Sequence, residues 1–132
     1  MNNNILKLAA KKYYNIGKQT QEELNDTQDV NMQSALRMVC GQNYFYAFVS
    51  AIDAKLMVKN IRSKDHRDRR RLITLNASLF KDAQSLDRMY EILMGNELNY
   101  RIKVAYRGEN GTKFERLKEA GEIAMQEIKD ES

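Results

Sequence analysis

The stretch Asn31-Met32-Gln33-Ser34-Ala35-Leu36-Arg37-Met38-Val39-Cys40 continues through Tyr44, Phe45, Tyr46, Phe48, Val49, Ala51 and Ile52 to Leu56, Met57, Val58 and Ile61. It is the longest run in the chain that reads as a single helix with an apolar face, and it contains no proline. A helix this apolar is not stable alone in water and must be covered by other elements. The stretch therefore predicts the central helix of a small bundle.

The rest of the composition agrees. The chain has 132 residues, a length that fits one domain and buries most of the apolar surface its unfolded form exposes. With 42% hydrophobic and 30% charged residues it is neither hydrophobic-poor nor one-sidedly charged, so disorder is excluded. It has no proline and six glycines, where about five and seven per hundred residues are usual. Long uninterrupted helices are favoured over folds that need many tight turns. The start, Met1-Asn2-Asn3-Asn4-Ile5-Leu6-Lys7, has no basic region followed by an apolar core, so no signal peptide is expected. No run of eighteen apolar residues suggests a membrane span. The single cysteine, Cys40, rules out an intramolecular disulfide and a Cys-His metal cluster, and a cytoplasmic location is expected.

Around the central helix the spacing predicts further helices. Ile5, Leu8, Ala9, Tyr13 and Ile16 recur at three- and four-residue steps and predict a helix over 4–18, ending near Gly17. The polar run 19–29 reads as a long connection, with Asp29 or Asn31 capping the central helix. Ser63 or Asp65 can cap a third helix, which carries Leu72, Ile73 and Leu75 before a break near Lys81. Leu86, Met89, Tyr90, Leu93 and Met94 form the next stripe, which stops at Gly95-Asn96. Leu98, Ile102, Ala105 and Tyr106 repeat the spacing before Gly108. Glu109-Asn110-Gly111 is a turn signal, followed by a last helix with Phe114, Leu117, Ala120, Ala124 and Ile128. The fold class is all-α, an up-and-down bundle of four to five helices.

Charge is uneven along this frame. Lys59, Arg62, Lys64, Arg67, Arg69, Arg70 and Arg71 are offset by only Asp65 and Asp68, a net of five, while the whole chain is plus four. Two readings stand side by side. Arg62, Lys64, Arg67, Arg69, Arg70 and Arg71 form a patch for the phosphates of RNA or another nucleic acid, or they form a solvated corner paired with nearby carboxylates. No aromatics are interleaved for base stacking.

Other residues that can carry chemistry are few. His66 is the only histidine, flanked by polar residues and expected to be exposed and unperturbed. Cys40 and Gly41 suit a buried thiol and a close helix crossing. Tyr44, Tyr46, Asp53 and Tyr106 are the residues that would line a small-ligand pocket between helices. Asp53 lies in the most apolar helix, where an acid must be wet or paired, for example with an arginine from another helix. No Gly-rich phosphate loop and no carboxylate set of the di-iron kind is present, so no catalytic residue, metal or cofactor is assigned.

One resemblance covers residues 30 to 128. The segment from Tyr44 to Ala54, the basic corner after it, Asn99-Tyr100-Arg101-Ile102-Lys103-Val104-Ala105-Tyr106-Arg107-Gly108 and the Ala-rich closing helix together resemble small HEPN-like bundles. The resemblance implies an all-helical bundle of a kind that commonly dimerises, in a superfamily that includes RNA-cleaving toxins and partners of nucleotidyltransferases. Its RNA-cleaving members carry an arginine, four to six residues, then a histidine near the closing helix. Here Arg62 and His66 are separated by only three residues and precede the third helix, so the catalytic motif is missing. The expected role is therefore a non-enzymatic bundle acting through protein contacts as a homo-oligomer, with nucleic-acid binding at the basic corner as the alternative.

Overall fold

A computed structural model describes residues 2 to 129. They form six α-helices and one short 3₁₀ turn, with no strand among the described residues: α1 (Asn3–Asn25), α2 (Val30–Met57), α3 (His66–Leu75), the 3₁₀ turn Ala77–Leu79, α4 (Ala83–Met94), α5 (Tyr100–Ala105) and α6 (Thr112–Ile128). No described helix is long and apolar enough to cross a membrane.

The helix starts follow ordinary capping chemistry. Asn2, Asp29, Asp65 and Asp82 each accept a backbone N–H from three residues ahead, at 3.0, 2.9, 2.8 and 3.1 Å. Of the candidate caps, Asp29 serves α2 and Asp65 serves α3. Gly111 precedes Thr112, the first residue of α6.

Two expectations are corrected. The helix count is six rather than four or five, because the polypeptide turns sharply between α4 and α5 at Asn99, whose φ is +47°, and leaves α5 only six residues long. The run 19–29 is not a long connection: α1 continues to Asn25, and only residues 26–29 link it to α2. Gln, Glu and Leu are good helix formers. Tertiary contacts also hold this half of α1, since Leu24 packs on the core and Gln21 accepts a 2.6 Å hydrogen bond from the Tyr44 hydroxyl.

Gly17 is therefore mid-helix, and packing explains it. The Tyr44 ring lies between α1 and α6, and a Cβ added to Gly17 would stand 2.6 Å from Tyr44 Cε1, while one added to Gly121 would stand 2.7 Å from Tyr44 Cδ1. Two glycines thus let two helices close on one buried aromatic. On its other flank α2 meets α5 at Gly41, whose added Cβ would lie 2.7 Å from Val104 Cγ1.

The contacts fix direction. Tyr13 stacks on Tyr46, Tyr14 on Tyr44, and Gly17 meets Cys40, so α1 runs antiparallel to α2. Gly121 meets Tyr44 and Lys55 pairs with Glu127, so α6 runs parallel to α2. The core is centred on Tyr44, Phe45, Phe48, Ile52 and Leu56 of α2, covered by Leu86, Tyr90, Leu93, Val104 and Leu117 from the later helices. Glu127 is nearly fully buried, where its carboxylate accepts the backbone N–H of Lys81 at 2.5 Å and holds the link between the 3₁₀ turn and α4.

Alanine normally stabilises a helix by about 1 kcal/mol relative to glycine. At Gly17 the clash with the trapped ring outweighs that gain, and Gly17→Ala is expected to destabilise the protein by about 1–3 kcal/mol. Urea denaturation followed by circular dichroism checks this; a raised midpoint would show that the Tyr44 ring is free to move aside.

Candidate functional site

The basic corner lies where α2 ends and α3 begins. Asn60, with φ +57°, turns the chain, and the Asp65 cap starts α3 so that His66, Arg69 and Ile73 fall on its inner side at three- and four-residue steps.

Arg69 is the centre of a polar cluster. Its Nε and Nη2 donate to the two oxygens of Asp53 at 2.9 and 3.0 Å, a bidentate pair between α3 and α2. Its Nη1 reaches His66 Nδ1 at 2.9 Å and the Tyr90 hydroxyl of α4 at 3.0 Å. Ser63 Oγ donates to Asp53 at 3.1 Å. The Arg69 side chain is only 13% exposed. Burial opposes its charge, but the hydrogen bonds it donates to Asp53 and Tyr90 outweigh that and raise its pKa further.

This cluster corrects the expectation for His66. The ring is half-buried, edge-on to Phe45 at 5.4 Å, and its Nδ1 lies 2.9 Å from the Tyr90 hydroxyl. A guanidinium only donates, so the Nδ1 facing it is unprotonated and the neutral ring carries its proton on Nε2. Burial first, then the neighbouring charges of Arg69 and Arg101, push the His66 pKa below its ordinary value.

The remaining basic residues divide into two groups. Arg70 pairs with Asp87 at 2.7 Å and also with Glu91, and Arg71 pairs with Asp68 at 2.6 Å, which holds the Asp68 carboxyl below its usual range. Arg62, Lys64 and Arg67 are exposed and form no ion pair among the described residues. A groove of about 750 Å³ between α3 and α4 is lined by His66, Arg67, Arg70, Arg71, Asp87 and Glu91. Counting Asp68 beside Arg71, the groove holds three arginines and three carboxylates, of which Arg70 and Arg71 are paired, and the local charge is close to zero.

The four residues considered as one pocket lie apart. Tyr44 is sealed in the core, where burial raises its pKa. Tyr46, two residues on, projects from the opposite side of α2. Asp53 belongs to the Arg69 cluster. Tyr106 is exposed, with Arg101 over its ring at 5.6 Å. Cys40 is fully buried, its pKa pushed up to about 12 by burial, which leaves the thiol unreactive. Among the described residues no group of three His, Cys, Asp or Glu side chains is placed to hold a metal ion.

A second feature is a surface. Met32, Val39 and Tyr46, spaced by seven, lie on the side of α2 turned away from the core and are 49%, 42% and 41% exposed. Ala35 is also exposed on that side, and between Arg37 and Asp53 the helix carries no charged residue at all. An exposed helix face usually carries charge, so this one is unusual.

Compared with known protein families, curated proteins and solved structures, the chain matches none.

Tyr90 was legible only as a core residue, because its link to Arg69 spans 21 positions and no local pattern encodes it. Two tests follow from the cluster. Arg69→Lys keeps the charge but loses the fork, and is expected to cost about 2 kcal/mol in urea denaturation. Stability is also expected to fall with pH. Near pH 6.5 the unfolded chain takes up a proton on His66 while the folded chain, with its lowered pKa, does not. The folded state therefore loses stability from about pH 7 downward until His66 itself protonates. Urea midpoints from pH 8 to 5.5 check this, and His66→Gln should flatten the slope.

Proposed function

We propose that the chain is a non-enzymatic, HEPN-like helical bundle that works through protein–protein contacts, as a homodimer. The observation that carries this reading is the outer face of α2, where Val39 and Tyr46 stand in solvent within the charge-free length 38–52 and the exposed Met32 lies one heptad before them. A contiguous exposed apolar patch is a feature of association sites. The cluster around Arg69 supports the non-enzymatic part: its arginine is neutralised by Asp53, and its histidine has Nδ1 committed to internal partners. The residue pattern resembling HEPN-like bundles, without the complete arginine-histidine spacing, points the same way.

RNA binding at the corner is the competing reading. Of the six residues named for this reading, Arg62, Lys64 and Arg67 are exposed and without an ion pair among the described residues, whereas Arg69, Arg70 and Arg71 are engaged with Asp53, Asp87, Glu91 and Asp68.

Sedimentation at micromolar concentration tests the first reading, and a dimer is the expected result. A strict monomer across that range would overturn it. Titration against single-stranded RNA at two salt concentrations tests the second. Three phosphate contacts would give a slope of log affinity against log salt of about −2, and the expected result is no binding at low salt.

A further inference from the structure

We infer that the partner on the outer face of α1 and α2 is a second copy of this chain, docked antiparallel about a twofold axis that passes between Gln42 and Asn43. This rests on the homodimer reading and specifies its geometry.

Three features of the chain converge on that axis. The first is the stripe on α2. Met32, Val39 and Tyr46 are exposed and recur every seven residues, so they follow one line along the helix over about 21 Å. The point midway between Val39 and Tyr46 falls between residues 42 and 43. An antiparallel twofold copy then brings Val39 against the partner's Tyr46.

The second is the absence of charge. In an isologous interface each surface meets itself, so any charge near the axis faces its like. Residues 38 to 52 carry none, and the pair at the centre, Gln42 and Asn43, are neutral amides.

The third is the charge order of α1. Lys7, Lys11, Lys12 and Lys18 occupy its first part with no acid among them, and Glu22, Glu23 and Asp26 follow with no base. The sign changes just past Gly17, and Gly17 is level with the centre of the α2 stripe, because its carbonyl receives the Cys40 thiol at 3.6 Å and its face receives Tyr44. An antiparallel twofold copy therefore places the basic part of one α1 level with the acidic part of the other. A parallel copy would set like charges side by side. Lys12 and Glu23 matter most: they are eleven residues apart, about three turns, and so share a face. Both are exposed, and the exposed Ile5 lies on the same side of α1.

The size is adequate. Two helices about 9 Å apart, each presenting about 30 Å of length, offer on the order of 600 Å² per copy, or about 1,200 Å² in total, the lower end of the range for specific interfaces. A micromolar dimer fits such an area.

A charge exchange tests the geometry. Lys12→Glu and Glu23→Lys, each alone, replace two attractions across the axis with two repulsions and are expected to weaken the dimer about tenfold in sedimentation equilibrium at low salt. The double variant Lys12→Glu/Glu23→Lys recreates both pairs with opposite sign and is expected to return the dissociation constant to within about twofold of the wild type. Asn43→Cys gives an independent readout. A thiol beside the axis is expected to form a disulfide-linked dimer on mild oxidation, whereas Leu75→Cys on the exposed side of α3 is not, and buried Cys40 takes no part. A wild-type dimer whose affinity ignores the single reversals, or is not restored by the double one, or whose Asn43→Cys variant does not cross-link, overturns this arrangement and leaves the homodimer reading standing. A wild-type monomer overturns both.

Discussion

The structure depends on burying α2. This helix is 28 residues long and apolar on nearly every side, and eleven of its residues are buried. No single neighbour can cover a helix of that kind, so α1, α5 and α6 are laid along it and α4 packs over its second half through Tyr90 and Phe48. Close approach is what makes this cover effective, and it is obtained with small residues. Gly17 and Gly121 admit the Tyr44 ring, and Gly41 admits α5. Ala10, Ala47, Ala51 and Ala124 form a second contact zone where α1, α2 and α6 meet. The side of α2 that these helices cover least keeps Met32, Val39 and part of Tyr46 in solvent, and the proposed association surface is that remainder.

The third helix is attached differently. Ile73 is its one buried residue, so apolar packing holds it weakly. Arg69 replaces that packing with directed bonds, reaching Asp53 on α2 and Tyr90 on α4 from a single side chain. A partly buried ion pair of this kind contributes less net stability than its short distances suggest, because both charges leave water to form it. Its effect is on position: the fork accepts one orientation of α3 relative to α2. His66 adds a proton sensitivity to the same contact, since a proton on Nδ1 would set a second cation against the guanidinium. Of the corner that is most basic in sequence, Arg69, Arg70 and Arg71 are thereby compensated internally.

Residue spacing alone determined the helical class, the central place of the stretch from Asn31 to Ile61 and the stop at Gly95, and it narrowed the caps of α2 and α3 to two candidates each, Asp29 or Asn31 and Ser63 or Asp65. All of these are encoded within a few neighbouring residues, where periodicity and capping operate. The pairing of Asp53 with an arginine from another helix was likewise open to inference, since an acid in that helix needs a partner. The tertiary structure alone decided which arginine this is, that Tyr90 and His66 join it, and that Arg70 and Arg71 are matched by Asp87, Glu91 and Asp68. Apart from the Arg71–Asp68 and Arg69–His66 contacts within α3, those partners are 16 to 24 positions apart in the chain. It also decided that Gly17 lies inside a helix and not at its end, because a glycine that ends a helix and one that admits a ring look alike until the ring is placed. The chain's local chemistry fixes which segments are helices and which sides are apolar. The directions in which those helices cross, set by the fit of particular side chains over long separations, fix which charges are cancelled and which apolar side is left in solvent.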